Sequence, residues 1–274
     1  MAVIFRDVDW MSVRRAADAD GVALIPLGSI EQHGPHLPCG TDTYQINEVV
    51  RRTLARCDEH LPICVCPTIE YSVVQWASPL ASAGLSVFAL EHKLLDLILA
   101  LTDQGFRKIV FLHGHYGLPC ARSAGWEALC RGRCAMYIDV QPYEMAWDEI
   151  ERLAGEPLNH GGVAETSMML AIRPDLVRME RARPGPRHLW GRQFPYPSLL
   201  QKGVYPIPTV EDLPDGIEGD PTRATAELGH RILDAMAARL APMLIELASR
   251  PTPERYTRRY RAPSPSCGPG AASV

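Results

Sequence analysis

The stretch Val22-Ala23-Leu24-Ile25-Pro26-Leu27-Gly28-Ser29-Ile30-Glu31-Gln32-His33-Gly34-Pro35-His36-Leu37-Pro38-Cys39-Gly40-Thr41-Asp42 decides the fold of this chain. Its first six residues are an apolar run with the length and bounds of a buried strand. Beyond that run come a carboxylate, an imidazole and a second carboxylate, separated by glycines and prolines that shape a loop rather than a helix face. Hard-to-borderline ligands on a stiff loop at a strand end are what a divalent metal site requires.

Working outward, the same kind of strand recurs. Residues 63–67, 108–113 and 134–140 are short, apolar and bounded by turn residues, while 44–57, 90–104 and 121–131 carry apolar positions at helical spacing. The alternation predicts an α/β fold: a single-domain α/β/α sandwich around a mostly parallel sheet. Later helices are predicted over 163–172 and 222–247, separated by a proline-, glycine- and aromatic-rich excursion over 181–222. Residues 1–250 read as one domain without internal repeat. The tail 251–274, rich in Pro, Ser, Gly and Arg, reads as disordered.

Bulk properties narrow the function classes. Hydrophobic residues make up 46% of the 274 and charged residues 22%, ordinary for a globular protein with a substantial core. A formal net charge of -4 gives no electrostatic case for nucleic acid or an anionic membrane. No apolar run approaches the roughly 20 residues that span a bilayer, and the first residues meet acidic groups too early for a signal peptide. A cytoplasmic location is the default expectation. The eight cysteines contain no CxxC pair and read as reduced, mostly structural thiols, with Cys39 set apart by its place in the ligand loop.

In an open parallel sheet ligands gather beyond the carboxyl ends of the strands, so further metal-type residues are expected after other strands. His113-Gly114-His115-Tyr116-Gly117 follows one of them, its glycine permitting a tight turn. Asn159-His160-Gly161-Gly162-Val163-Ala164-Glu165 runs into the helix at 163, placing Glu165 where the macrodipole favours a carboxylate. Glu31, His33, Asp42, His115 and Glu165 are therefore the expected ligands. They exceed one zinc's needs and suit two ions around an aspartate able to bridge. Zinc and manganese fit this nitrogen and oxygen set equally, and iron is compatible with it. The expected chemistry is hydrolysis by a metal-bound hydroxide, with His160 left over to carry a proton to the leaving nitrogen.

These segments resemble the creatininase family of metal-dependent amidohydrolases. Residues 28–38 with Asp42 look like its first signature, and His160-Gly-Gly-Val-Ala-Glu165-Thr-Ser with Pro174-Asp175-Leu176-Val177 looks like its last. The resemblance implies that Glu31 and His115 bind one metal, His33 the other, and Asp42 bridges them. It also implies that His160 is the catalytic histidine and that the chain assembles as a homo-oligomer, commonly a hexamer. Gly117 stands where creatininase has a metal-binding glutamate, which assigns Glu165, water or substrate to the second ion and gives Glu165 a catalytic as well as a ligand role. The family's Phe-Pro-Gly-Thr type loop is replaced by 76–85, so Trp76 and Ser78, with Tyr116, are the expected substrate contacts. Glu156 and Leu158 occupy the region where creatininase frames its ring with tryptophans, which argues against creatinine.

The leading expectation is an enzyme, a hydrolase cutting a small-molecule C–N bond other than a peptide bond: an amide, formamide or cyclic amide. A peptidase-like maturation protein or a lactone hydrolase on the same fold is the second reading. A degenerate homologue that binds metal or a partner without catalysis is the third.

Overall fold

The computed structural model describes residues 2–74, 81–115, 119–186 and 215–257. Five strands form one sheet in the order β1-β3-β2-β4-β5, where β1 is Val3–Ile4, β2 Val22–Leu27, β3 Ile63–Val65, β4 Lys108–His113 and β5 Met136–Val140. Every pairing among them is parallel. Val22 stands opposite Ile63 on one side and Lys108 on the other. The continuous apolar runs of β2 and β4 follow from burial on both faces.

Strand alternation sends Val22, Leu24, Val110 and Leu112 into one layer and Ala23, Ile25, Ile109 and Phe111 into the other. Helices α1 (Trp10–Asp18), α3 (Val87–Asp103) and α4 (Cys120–Cys130) cover the second face. The first face takes α2 (Thr41–Leu54), α5 (Pro142–Met145), α6 (Trp147–Ala154), α7 (Val163–Ile172) and α8 (Ala226–Ser249). The expected parallel α/β sandwich is the fold observed. No described helix is long and apolar enough to cross a membrane.

Adjacent strands β2 and β4 lead to opposite layers, β2 into α2 and β4 into α4. The carboxyl ends of these two strands therefore mark the topological switch point, where doubly wound sheets bind ligands. The loops leaving both strands carry expected metal ligands.

At the opposite end of the sheet, buried Lys108 begins β4 and donates from Nζ to the backbone carbonyls of Asp20 at 2.9 Å and Arg250 at 2.5 Å. Its ammonium also lies 3.0 Å from Asp20 Oδ2. The same carboxylate accepts from the Thr252 amide and hydroxyl, each at 2.6 Å. Residues 251–257 therefore start the tail as a segment pinned to the base of the sheet. Residues 258–274 lie outside those described.

Several boundaries differ from the sequence reading for identifiable reasons. Helix α2 begins at Thr41, not 44, because the Thr41 amide and hydroxyl both turn back to the Pro38 carbonyl. Asp42 accordingly sits in the first helical turn rather than on the loop. Ser86 caps Ala89 and starts α3 at Val87. Thr225 caps Leu228 and starts α8 at Ala226, after a separate 3-10 turn over Pro221–Arg223. Strand β1 and helices α1, α5 and α6 had no counterpart in the expectation. The described cysteines are all free thiols. Burial raises Cys64 to about 11 and Cys66, with Cys64 beside it, to about 12, so both stay protonated at neutral pH.

Candidate metal centre

The loop leaving β2 is held at both ends by its own backbone. Gly28 N donates to the Ile69 carbonyl at 2.8 Å, and Glu31 N to the Cys39 carbonyl at 2.8 Å, which folds residues 31–39 into a closed lobe. Glu31 and His33 are carried inward on that lobe and are buried. Asp42 joins them from the first turn of α2, where the helix N-terminus favours its negative charge.

The loop leaving β4 brings His115. A side chain at Gly114 would place its Cβ 2.5 Å from Ile46 Cβ and 2.9 Å from the Asp42 carbonyl, so glycine is what lets this loop touch α2. His115 Nδ1 lies 3.0 Å from Glu31 Oε2 and 3.3 Å from Asp42 Oδ2. His113, two residues earlier at the end of β4, points elsewhere: its Nε2 is 2.5 Å from Asp139 Oδ1 on β5, and Arg122 holds the other oxygen at 2.6 Å.

The third segment enters ahead of α7. Gly161 has φ +62, a conformation that favours glycine, and turns the chain so that its amide donates to Glu165 Oε2 at 2.7 Å. His160 stacks on His33 with ring centroids 4.2 Å apart. His33 Nε2 faces Asp42 Oδ1 at 3.2 Å and Glu165 Oε2 at 3.7 Å. Two groups result: Glu31, Asp42 and His115, and beside them His33, His160 and Glu165. Asp42 lies between, with one oxygen toward each imidazole.

The donor set passes a chemical test for divalent cations. A backbone carbonyl only accepts, so each histidine that meets one must donate its proton there. His33 Nδ1 meets the Glu31 carbonyl at 3.0 Å, and His115 Nε2 meets that of Val73 at 3.2 Å. The opposite nitrogens, His33 Nε2 and His115 Nδ1, face the carboxylates and are thereby the ones a cation held among them would engage. Metal-ligating histidines are oriented in this manner. Glu31 Oε1 and Asp42 Oδ2 are buried without a hydrogen bond, a costly state for carboxylate oxygens that a cation would relieve.

Electrostatics among the protein groups themselves carry the same message. Burial opposes charge on His33, but Asp42 and Glu165 outweigh it and raise the imidazole to about 10. His115 is likewise raised well above its ordinary value, against burial, by Glu31 and Asp42. Burial works against charge on Glu31 and Asp42 too, yet His115 holds Glu31, and His33 with His115 holds Asp42, below the usual carboxyl range. Burial raises Glu165 to about 7 despite His33, with Asp42 adding to the rise. Burial and then the cationic His33 lower His160 to about 4, so it is neutral at pH 7. Protons on two imidazoles do the work that cations would do among three carboxylates.

Residues 6–244 match the sequence model of the Creatininase family, described as creatinine amidohydrolase. This chain belongs to the creatininase family. The mycofactocin precursor peptide peptidase of Mycobacterium tuberculosis is 33% identical over 225 residues, covering 78% of this chain and 80% of that protein. The creatinine amidohydrolase of Pseudomonas putida is 26% identical over 270 residues, covering 89% and 97%. Solved creatininase structures, one of a Zn-Zn type and one with Mn, share the fold at a TM-score of 0.77 and 24% identity, covering 91% of this chain and 100% of theirs.

As a creatininase-family hydrolase, the chain brings together Glu31, His33, Asp42, His115, His160 and Glu165, all singled out in the sequence. His160 is closer to the ligand groups than a detached proton carrier would be, since its ring covers that of His33. Its Nε2 lies 2.6 Å from the Gln32 carbonyl, which leaves Nδ1 as the basic nitrogen. Tyr116, Trp76, Ser78 and Gly117 lie outside the described residues. Gln45, Tyr143 and His36 were not anticipated. His36 Nε2 meets Thr166 Oγ1 at 2.8 Å and ties the first loop to α7.

The metal-free family member should show a diagnostic pH dependence. An imidazolium whose pKa rises from 6.5 to about 10 on folding contributes stability that is full below pH 6.5 and lost as pH climbs towards 10. Glu165, raised from 4.5 to about 7, adds a loss of the same sign between those values. A metal displaces the imidazolium protons and removes the dependence. The melting temperature of chelator-treated protein is therefore expected to fall steadily from pH 6.5 to 10, while that of zinc-loaded protein stays level. Parallel curves for the two forms would refute the protonated-imidazole account.

Proposed function

We propose that this chain is a metal-dependent amidohydrolase using two divalent ions. Glu31, Asp42 and His115 would hold one ion, and His33, Asp42 and Glu165 the other. The observation that carries the proposal is the placement of Asp42, whose Oδ1 is 3.2 Å from His33 Nε2 and whose Oδ2 is 3.3 Å from His115 Nδ1. When bound, such ions polarise a carbonyl and make water acidic enough to attack at neutral pH. The chain's own residues then have separate tasks. His160, neutral at pH 7, accepts a proton at Nδ1 while Nε2 is anchored on Gln32, and returns it to the leaving nitrogen. Glu165, fixed by the Gly161 amide, balances charge beside His33.

The proposed substrate class is a small molecule with an amide, formamide or cyclic amide bond, excluding creatinine. In place of a ring-framing aromatic, buried Glu156 accepts from the Asn159 side chain at 3.2 Å and the Asp220 amide at 3.3 Å and serves as a tie between loops. Cleavage within a short peptide is the second reading, favoured by the 33% identity to a precursor peptide peptidase. A cytoplasmic homo-oligomer completes the proposal, with a hexamer as the form that light scattering should find. Zinc- or manganese-loaded protein should generate free amino groups from a panel of formamides, cyclic amides (by ring opening) and short peptides, and chelated protein should not. Amine release from peptides alone would replace the first substrate class by the second. Equal turnover with and without metal would reject the mechanism.

A further inference from the structure

Two buried side chains outside the ligand groups touch every segment that completes them around the first loop. Tyr143, in the first turn of α5, sets its hydroxyl 2.9 Å from Gln45 Oε1 and 2.9 Å from the Gly114 carbonyl. Gln45 lies one turn beyond Asp42 on the same face of α2, and its Nε2 donates to the backbone carbonyl of Glu165 at 3.1 Å. Gly114 is the neighbour of His115. A polar network serving only stability could join any packed elements. This one joins the loop of His115, the helix of Asp42 and the peptide of Glu165.

The hydroxyl has one proton for two acceptors, so it joins the Gly114 loop to α2, and the Gln45 amide passes the link on to the Glu165 peptide. Burial keeps that phenol protonated well beyond neutral pH, and the Asp42 and Glu165 carboxylates add to the effect. Buried and hydrogen-bonded in this manner, the pair has little freedom to shift without stranding a carbonyl.

We propose that Tyr143 and Gln45 form a positioning clamp that sets the separation of the two metal-ligand groups. The inference rests on the dinuclear reading of the site. Tyr143 supports chiefly the group of Glu31, Asp42 and His115, through Gly114. Gln45 supports chiefly the group of His33 and Glu165, through the Glu165 carbonyl.

Stepwise zinc titration of metal-stripped full-length protein against a competing chelator tests it. His115→Ala and Glu165→Gln identify which binding step belongs to which group. Tyr143→Phe is expected to weaken the first group's step, and Gln45→Met the second group's, each by about 10–100-fold, as for other outer partners of metal ligands. Melting of the metal-free variants reports the structural contribution separately. Lower melting temperatures with unchanged zinc constants would overturn the clamp. Should Tyr143→Phe fail to fold, the Gln45→Met constants decide alone. A wild-type chain that takes up no zinc would reject the dinuclear reading, and the clamp with it.

Discussion

Asp42→Ala is expected to leave the folded protein with at most one bound ion and to lower kcat/KM by about 10³-fold or more, the scale of losing a principal transition-state stabiliser. The effect is large because one carboxylate faces both imidazoles. Its Oδ1 is directed at His33 and its Oδ2 at His115, so no single neighbour can replace it. Its burial leaves little access for a water to substitute. The variant is expected to fold, since the helix that carries Asp42 is packed through Ile46, Val49 and Val50. Elemental analysis after zinc loading, alongside amine release, checks the result. Retention of two ions with undiminished turnover would remove Asp42 from the bridging role and with it the proposed mechanism.

His160→Ala should separate chemistry from metal binding. Loss of a positioned acid–base group costs about 10²–10⁴-fold in kcat, and both ions are expected to remain bound. The assignment follows from the hydrogen bond to Gln32, which leaves Nδ1 as the acceptor, and from a pKa held near 4 by burial and His33 in the metal-free site. A metal in place of the His33 proton keeps a positive charge beside His160, so its proton is passed on readily. Stacking on His33 makes the competing outcome concrete. If the second ion departs together with turnover, His160 is a ligand and the proton carrier must be sought elsewhere.

The candidate site was more legible in the amino-acid sequence than its supports. Strands β2 and β4 were legible because a strand covered on both faces is a continuous apolar run with glycine or polar residues at its ends. Candidate ligands Glu31, His33 and His115 were legible because they follow those strands directly, and Glu165 because a glycine-flanked histidine leads into its helix. Asp42 was read as a loop residue because its helix starts at a threonine folded back on Pro38, a closure no periodicity announces. Helices α5 and α6 are short, and β1 is two residues long, so none offers enough repeats for a pattern. Gln45 and Tyr143 looked like ordinary polar residues. They are 98 positions apart, and Gln45 and Glu165 are 120 apart, so their meaning exists only once the chain has folded.

Lys108 and His113 stand at opposite ends of the same strand. One end is a locked hinge-pin joining the α1–β2 turn, the end of α8 and Thr252, while the other leads to the candidate metal centre. The frame is fastened at the edge away from the candidate site. Residues around the candidate ligands in the loops above β2 and β4 can therefore change without loosening what keeps the sheet assembled. The corresponding constraint falls on the far edge: a chain shortened after Ser249 would lose the Arg250 carbonyl and Thr252 together. Such a chain would weaken a catalytic domain from its most distant point.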